Sequence, residues 1–449
     1  MSYLLVSGGK AAVIDPRRDV DVYLTLAAER GARITHVFET HRNEDLISGA
    51  PILAARTGAK VLHGPNPAAP IRYAETTREG ELHRVGEVVI RVLETPGHTE
   101  DSVSYVVIDE ATGDGPIGVF TGDALFVGDV GRTDFYPDKP REMAGALYDS
   151  LQKLLALGDQ AVVWPAHGAG SVCGAGMADR LFSTIGYERR FNPRLSLSRE
   201  AFIEAKVKER HVYPPYFRRM ERLNVEGAPP MLAPLVPEAL DVETFEARAP
   251  YATVLDVRET AAFLRTHRRG SLGLSAGLVS AFAGFLLDAD EDVVLVAETA
   301  EEARAVSEEL GRMGFDRVIG FLARPWTAWT ATGRPFESIE AIGAKELDRR
   351  LASPPASWQM LDVRSEEEVR SGMLAGAKHI YVGELPQRLR ELDATRAYTV
   401  VCGSGVRATL AASILRRGGV REVDVFLGSL GASSKPPRTR PVSTSAPPE

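Results

Sequence analysis

The stretch THVFETHRNEDL, residues 35–46, runs from an apolar strand into a polar loop. Its first half is rich in branched and aromatic residues, which favours a strand, and a histidine follows at once. Two further predicted strands lead into polar loops in the same way, at TPGHT (95–99) and TGD (121–123). Polar side chains that follow separate strands collect at one edge of a layered α/β fold. The candidate metal ligands at this edge are His41, His98 and Asp123.

The chain around these segments indicates an α/β layered domain over residues 1–230. Short apolar runs separated by turns predict its strands, and helical patterns lie near 20–30, 141–157 and 178–187. The stretch 213–237 contains six prolines, which predicts a linker or an extended covering segment.

Composition limits the classes of protein that the chain can be. With 449 residues it should form about three domains of about 150 residues each. Its net charge of -8 argues against binding to nucleic acid or to an anionic membrane. Only two cysteines, Cys173 and Cys402, and an N-terminus unlike a signal peptide predict a reducing, cytoplasmic location.

The C-terminal half contains an internal repeat. The motif LDVR at 255–258 recurs at 361–364, and the two copies stay nearly in register through a later apolar strand. Each copy alternates strands and helices, which predicts two small α/β domains with parallel sheets, at 238–340 and 343–432. The segment 433–449 is rich in Ser, Pro, Thr and Arg and is predicted to be a disordered tail.

The second repeat contains a candidate nucleophile. Cys402 follows a predicted strand and begins the loop CGSGVR, which ends at Arg407 and leads into a helix. The backbone N–H groups of such a loop and the N-terminus of a helix favour a thiolate, and the arginine can pair with thiosulfate or sulfite. The loop residues expected to surround a bound anion or sulfur are Gly403, Ser404, Gly405 and Val406.

This loop, together with LDVR, resembles the rhodanese sulfurtransferases over residues 343–432. The resemblance implies that Cys402 carries a sulfane sulfur as a persulfide. A phosphatase-type loop is a weaker interpretation because its Cys-to-Arg spacing is usually longer, and a buried, inert cysteine is a further alternative. The first repeat has Ala297 and Glu302 in place of the cysteine and the arginine. It therefore resembles an inactive rhodanese domain with a structural role.

Residues 1–230 resemble the metallo-β-lactamase superfamily, and within it the persulfide dioxygenases. The usual first motif of the superfamily is T-H-x-H-x-D-H, and here Asn43 and Leu46 replace two of its histidines. A dinuclear zinc hydrolase of the glyoxalase II type would need both of those histidines. The resemblance implies a single Fe(II) held by His41, His98 and Asp123, with an αββα sandwich as the fold.

Further residues receive roles from the same resemblance. Arg132, in GRTDF, is expected to anchor an anionic substrate, and His167 is expected to face the substrate or to support a ligand. Asp45 and Thr121 are expected to orient the ligands. Cys173 either takes part in sulfur handling or fills a small gap.

The two halves together suggest one function. The resemblance implies that a persulfide of glutathione or another low-molecular-weight thiol is oxidised by O₂ to sulfite, and that sulfane sulfur moves between Cys402, sulfite and thiosulfate. The expected cofactor is one Fe(II) per chain, with zinc as the alternative, and the chain is expected to form a homo-oligomer. Three alternatives remain: a zinc-dependent thioester hydrolase, a metal-free sulfurtransferase with a degenerate N-terminal domain, and a binding or regulatory module.

Overall fold

The computed structural model of the protein describes residues 1–113, 115–169, 176–231 and 236–428. The described residues form two compact units, one within 1–231 together with 312–314, and the other within 236–311 and 315–428. The candidate residue Cys173 and the predicted tail 433–449 lie outside the described residues. Among the described residues, no helix is both long enough and apolar enough to cross a bilayer.

The first unit contains eleven strands and six helices among its described residues. The strands are β1 (Tyr3–Ser7), β2 (Lys10–Ile14), β3 (Arg33–Glu39), β4 (Lys60–His63), β5 (Glu75–Thr76), β6 (Leu82–Val85), β7 (Val88–Glu94), β8 (Val103–Asp109), β9 (Pro116–Gly122), β10 (Val162–Pro165) and β11 (Ser183–Thr184). The helices are α1 (Asp21–Glu29), α2 (Ala50–Thr57), α3 (Pro140–Leu155), α4 (Ile185–Phe191), α5 (Arg199–Lys208) and α6 (Phe217–Glu226).

The remaining elements form the repeated half of the chain. The strands are β12 (Thr253–Asp256), β13 (Leu272–Gly273), β14 (Val293–Ala297), β15 (Val318–Ala323), β16 (Glu340–Ile342), β17 (Trp358–Asp362), β18 (Lys378–His379), β19 (Ala397–Val401) and β20 (Val423–Phe426). The helices are α7 (Val242–Arg248), α8 (Thr260–Arg265), α9 (Val279–Leu286), α10 (Ala300–Arg312), α11 (Pro325–Thr332), α12 (Ala344–Ala352), α13 (Glu366–Arg370), α14 (Leu385–Arg388) and α15 (Val406–Arg417). Short 3₁₀ turns lie at Ala249–Tyr251, Ala276–Leu278 and Leu389–Glu391.

The first unit is a sandwich of two sheets between two layers of helices. One sheet has the strand order β1-β2-β3-β4-β5 and the other the order β11-β10-β9-β8-β7-β6. Phe38 and Leu62 of the first sheet share a buried core with Val92, Tyr105 and Phe120 of the second. Because successive side chains of a strand point to opposite faces, the alternate residues of each strand face the helices instead.

Helices cover the outer face of each sheet. Tyr23 of α1 and Leu53 of α2 belong to the core on the outside of the first sheet. Leu147 of α3 and Phe202 of α5 belong to the core on the outside of the second. The predicted αββα sandwich is confirmed.

The loops that carry the candidate ligands lie at one edge of the sandwich. Strands β7 and β9 are each antiparallel to β8, and β10 is parallel to β9. The carboxyl ends of β7, β9 and β10 therefore share an edge. The carboxyl end of β3, in the other sheet, joins them there because the Val103 amide donates a hydrogen bond to the Thr40 carbonyl oxygen over 2.7 Å.

Two local predictions are wrong. The helix predicted at 178–187 begins only at Ile185, because the Thr184 side chain accepts a hydrogen bond from the Tyr187 amide and caps it there. The segment 213–237 contains helix α6, whereas a linker or an extended segment was expected. Its prolines flank the helix instead of interrupting it, and Phe217 and Met220 are fully buried.

The two LDVR motifs lie in equivalent places of two parallel sheets. The first sheet has the order β13-β12-β14-β15, and the second has the order β16-β20-β19-β17-β18. The Arg258 guanidinium forms an ion pair with Asp256 and donates a hydrogen bond to the Thr266 carbonyl oxygen, eight residues further along the chain. Arg364 makes the same two contacts in the second sheet, beginning with Asp362. The predicted α/β class with parallel sheets is therefore confirmed.

Candidate active sites

Four buried side chains meet at the loop edge of the sandwich. The ligand atoms of His41, Glu44, His98 and Asp123 all lie within 4.8 Å of one another. His98 Nε2 is 3.4 Å from an Asp123 carboxylate oxygen, and His41 Nε2 is 4.0 Å from the same atom. His41 Nε2 is buried and makes no hydrogen bond within the described residues. A cation fits here, because it would satisfy that nitrogen and neutralise two buried carboxylates.

The orientation of His41 is fixed from the side away from the cluster. Its Nδ1 lies 2.9 Å from the Thr40 hydroxyl oxygen, and that hydroxyl donates to Asp15 over 2.9 Å. Asp15 also accepts the Thr40 backbone N–H at 2.8 Å. Hydrogen bonding at Nδ1 leaves Nε2 directed into the cluster, as in histidines that bind metals.

His98 is held in the same manner. Its Nδ1 is 2.9 Å from the Arg132 carbonyl oxygen, and its Nε2 is 2.9 Å from Glu44. Burial opposes protonation of the imidazole, but the Glu44 and Asp123 carboxylates outweigh it and raise the pKa of His98. The preceding Gly97 has a φ of 141°, and a Cβ there would lie 2.3 Å from the Leu147 backbone nitrogen. Only glycine therefore allows the loop to pass this close to α3.

His167 lies between two carboxylates next to the cluster. Its Nδ1 is 2.8 Å and 2.9 Å from the two oxygens of Asp123, and its Nε2 is 2.7 Å from Asp45. Burial lowers the pKa of this imidazole, but the two carboxylates outweigh that effect and raise it well above its usual value. The His167 imidazole therefore lies between Asp45 and Asp123 and is hydrogen-bonded to both.

The loop that begins at Cys402 lies between β19 and α15. The cysteine is fully buried, and its Sγ accepts a hydrogen bond from the Gly405 amide at 3.1 Å. Helix α15 begins at Val406, so its N-terminal N–H groups lie beside the sulfur. These donors are placed to stabilise negative charge on the sulfur.

Arg407 does not stand free in the loop. Its guanidinium forms a two-point ion pair with Glu368 of α13, with N–O distances of 2.6 Å and 2.7 Å. Glu368 also forms a capping box with Ser365 at the start of α13. Burial opposes ionisation of the carboxyl, but the hydrogen bonds from Arg407 and Ser365 outweigh it and lower the pKa of Glu368 to about 2.

Comparison with known proteins agrees with this architecture. The sequence model of the metallo-beta-lactamase superfamily matches residues 1–167, and that of the rhodanese-like domain matches residues 343–433. The chain therefore carries an N-terminal metallo-β-lactamase domain and a C-terminal rhodanese-like domain.

Individual relatives match parts of the chain. A metallo-beta-lactamase structure from Staphylococcus aureus subsp. aureus COL is 27% identical, with a TM-score of 0.63, and the match covers 72% of this chain and 95% of that one. A structure named ETHE1 from Myxococcus xanthus is 36% identical, with a TM-score of 0.43, and covers 50% of this chain and 92% of that one.

A hydroxyacylglutathione hydrolase from Methylobacterium sp. (strain 4-46) is 34% identical over 160 residues, or 35% of this chain. The chain spans 58% of the length of that curated relative.

Within the metallo-β-lactamase domain, Glu44 is a member of the cluster that the sequence reasoning missed. It lies three residues after His41, at a position that the superfamily motif leaves variable, so no pattern marked it. Asp15, which supports His41 through Thr40, was also missed, because it follows a different strand and no sequence pattern links it to the histidine. Only the folded chain shows that Glu44 faces the histidines and that Asp15 lies behind His41.

The other residues predicted for this domain have structural partners. The Arg132 side chain is buried and forms a two-point ion pair with Asp134, so its role as a substrate anchor stays a prediction. The Thr121 hydroxyl donates to the Leu125 carbonyl oxygen over 2.7 Å, which fixes the turn that carries Asp123. The Asp45 side chain reaches the cluster through His167.

Replacing His167 by alanine is expected to weaken metal binding, because Asp123 would lose the imidazole that orients it. Removing a residue that hydrogen-bonds to a metal ligand lowers metal affinity by about 10–100-fold. The measurement is a titration of metal-free protein with Co(II) or Fe(II). His83→Ala is the matched control, since His83 lies in the same domain but outside the cluster. Equal affinities in the wild type and the His167 variant would contradict the assignment.

In the rhodanese-like domain, the Glu368–Arg407 pair predicts a pH-dependent contribution to stability. The pKa of Glu368 is lower in the folded chain than its usual 4.5, so its contribution is complete above pH 4.5. It should be lost as the pH falls towards 2. The difference in Tm between the wild type and Glu368→Gln should therefore be largest above pH 5 and shrink on acidification. A constant difference over this range would contradict the ion-pair explanation.

The equivalent loop of the first repeat differs in chemistry. Ala297 ends β14 where Cys402 follows β19, and the Glu302 carboxylate accepts the Glu298 backbone N–H over 2.8 Å. Neither side chain can carry sulfur or bind an anion. The inactive rhodanese domain expected at 238–340 stays a prediction.

Proposed function

We propose that the metallo-β-lactamase domain is a persulfide dioxygenase with one Fe(II) per chain, and that the rhodanese-like domain transfers sulfane sulfur through Cys402. The first reaction is R–S–SH + O₂ + H₂O → R–SH + H₂SO₃, in which the terminal sulfur is oxidised and O₂ is reduced. In the second, sulfite attacks the outer sulfur of a Cys402 persulfide. Thiosulfate leaves, and the Cys402 thiolate is regenerated.

The position of His167 carries this proposal. A dinuclear hydrolase needs a second cation between Asp45 and Asp123, and His167 fills that space with hydrogen bonds to both carboxylates. Leu46 also supplies no ligand atom there. Support is therefore strongest for a mononuclear centre, and two histidines with carboxylate ligands suit Fe(II) that must bind O₂.

The side chains around the centre have separate tasks in this proposal. His41, His98 and Asp123 would hold the ion, with Glu44 within reach of it. The bound ferrous ion would supply activation of O₂ towards the persulfide sulfur. Phe135 packs edge-on against His98, with ring centroids 5.1 Å apart, and it contacts Phe217, which is fully buried. This apolar wall keeps water from one side of His98.

The rhodanese-like loop would stabilise the negative charges that are present on sulfur and substrate during sulfur transfer. The Gly405 N–H that donates to Cys402 Sγ stabilises negative charge on that sulfur, both as thiolate and as persulfide. Glu368 holds Arg407 beside the loop, so the guanidinium is oriented before an anion arrives. Sulfite and thiosulfate, both anionic, are the substrates that such a loop can attract.

Metal analysis combined with O₂ uptake tests the proposal. Protein purified without oxygen should contain close to one iron per chain, and it should consume O₂ only when a persulfide is supplied. Glutathione persulfide is the first probe. Protein with two zinc ions that cleaves thioesters, or iron-loaded protein that leaves persulfide and O₂ unchanged, would overturn it.

A further inference from the structure

A basic groove lies in the metallo-β-lactamase domain beside the loop that follows His41. It is a cavity of about 510 Å³, a size common for small-molecule sites. Its lining includes two glutamates, Glu221 and Glu226, and a larger number of arginines. The arginines are Arg42, Arg72, Arg218 and Arg222.

The four arginines of the groove outnumber its two glutamates. None of its four arginines forms an ion pair with a carboxylate among the residues that the structure describes, and Arg72, Arg218 and Arg222 are exposed. Arg218 and Arg222 are four residues apart on α6, so these two like charges lie on one face of the helix. The groove is therefore a locally basic region in a chain whose net charge is -8.

The groove is joined to the metal centre through the chain itself. Arg42 directly follows His41, and its guanidinium Nε is buried without a hydrogen-bond partner in the described residues. The same Arg42 side chain also lines the groove. One side chain therefore lies between the two sites.

Helix α6 fixes the distance between groove and centre. The Asn224 side-chain amide donates to the carbonyl oxygens of Asn43 and Leu46, each over 2.7 Å, and its oxygen accepts from the Ser48 amide. The helix that carries Arg218 and Arg222 is thus bonded to both ends of the loop segment that follows His41. A ligand held by these arginines would be held at a fixed place relative to the metal.

We propose that this groove binds the anionic end of the thiol that carries the persulfide, through its carboxylate or phosphate groups. The proposal rests on the proposed function and extends it, because it names how the carrier is recognised. Guanidinium groups bind carboxylates and phosphates through two parallel hydrogen bonds, and four of them suit a ligand with several negative charges. The carrier would lie in the groove with its sulfur directed towards the cluster.

Calorimetric titration of the metal-loaded protein under nitrogen tests the groove. The probes are glutathione, which has carboxylates only, and coenzyme A, which has phosphates only. Neither contains sulfane sulfur, so neither is consumed. The variant Arg218→Gln/Arg222→Gln should bind at least one probe about tenfold or more weakly, since hydrogen bonds to charged groups contribute about 1.5–3 kcal/mol each. Arg218→Lys/Arg222→Lys keeps the charge but not the two-point geometry, so its affinity should be intermediate.

A matched control separates the groove from general charge. Arg30→Gln/Lys208→Gln removes the same two charges from exposed positions of the same domain, outside the groove. If the groove variant binds only glutathione more weakly, the groove recognises carboxylates. If it binds only coenzyme A more weakly, the groove recognises phosphates. Weaker binding of both probes indicates a shared anion site. Equal losses in the control, unchanged affinities in the groove variant, or no binding by the wild type would overturn the proposal.

The two proposals can fail separately. In the O₂-uptake assay, the groove variant should raise KM for the persulfide of the probe that it binds weakly and leave kcat within about twofold. If binding depends on the arginines but the protein takes up no O₂, the dioxygenase proposal is wrong and the groove proposal stands. If the protein takes up O₂ and the groove variant has an unchanged KM, the groove proposal is wrong and the dioxygenase proposal stands.

Discussion

Replacing His98 by alanine should abolish metal binding and, with it, persulfide-dependent O₂ uptake. In the proposed centre the imidazole supplies one of the two nitrogen ligands, and its other nitrogen is already engaged by the Arg132 carbonyl oxygen. Loss of a residue that hydrogen-bonds to a metal ligand lowers metal affinity by about 10–100-fold. Loss of the ligand itself should therefore lower metal affinity by more than about 100-fold. Iron content after anaerobic reconstitution and the initial rate of O₂ uptake measure the effect.

A second histidine of the same domain provides the control. His36 is half-buried on β3 and packs against Phe38, away from the cluster. His36→Ala should bind metal as the wild type does. Should the His98 variant retain full iron and full O₂ uptake, the cluster is not the site of the reaction.

Replacing Cys402 by serine should stop sulfur transfer while O₂ uptake continues. A serine hydroxyl is close in size to the thiol but cannot form a persulfide, and loss of a nucleophile commonly costs more than about 10³-fold in rate. Formation of thiocyanate from thiosulfate and cyanide measures the transfer. O₂ uptake should stay within about twofold of the wild type, as expected for independent sites.

This pair of measurements also tests the alternatives. Ser353→Ala, at an exposed position in the same domain, should change neither activity. If Cys402→Ser removed O₂ uptake as completely as sulfur transfer, the metallo-β-lactamase domain would have no activity of its own. The chain would then be a sulfurtransferase with a degenerate N-terminal domain.

Local patterns in the sequence predicted much of this protein. The strands that precede His41, His98 and Asp123 were visible as apolar runs, and the LDVR motif marked equivalent strands of two parallel sheets. The loop from Cys402 to Arg407 was visible because its chemistry depends on residues that are neighbours in the chain. Such features are local, so composition and spacing are sufficient to find them.

Contacts between distant segments could not be read in this way. Glu368 reaches Arg407 across 39 residues, and His167 reaches Asp45 across 122. Helix α6 was mistaken for a linker because its prolines lie next to it in sequence, and only tertiary packing shows which face of it is buried.

The sequence by itself determined the α/β class, the three ligand-bearing loops and the position of the cysteine. Each of these follows from residue order within one strand and the loop after it. The tertiary structure alone decided that an imidazole lies between two carboxylates, that Glu44 joins Asp123 beside the histidines, and that arginines from three segments line one groove. Such convergence depends on how sheets and helices pack, and packing joins residues whose separation along the chain carries no signal of their contact.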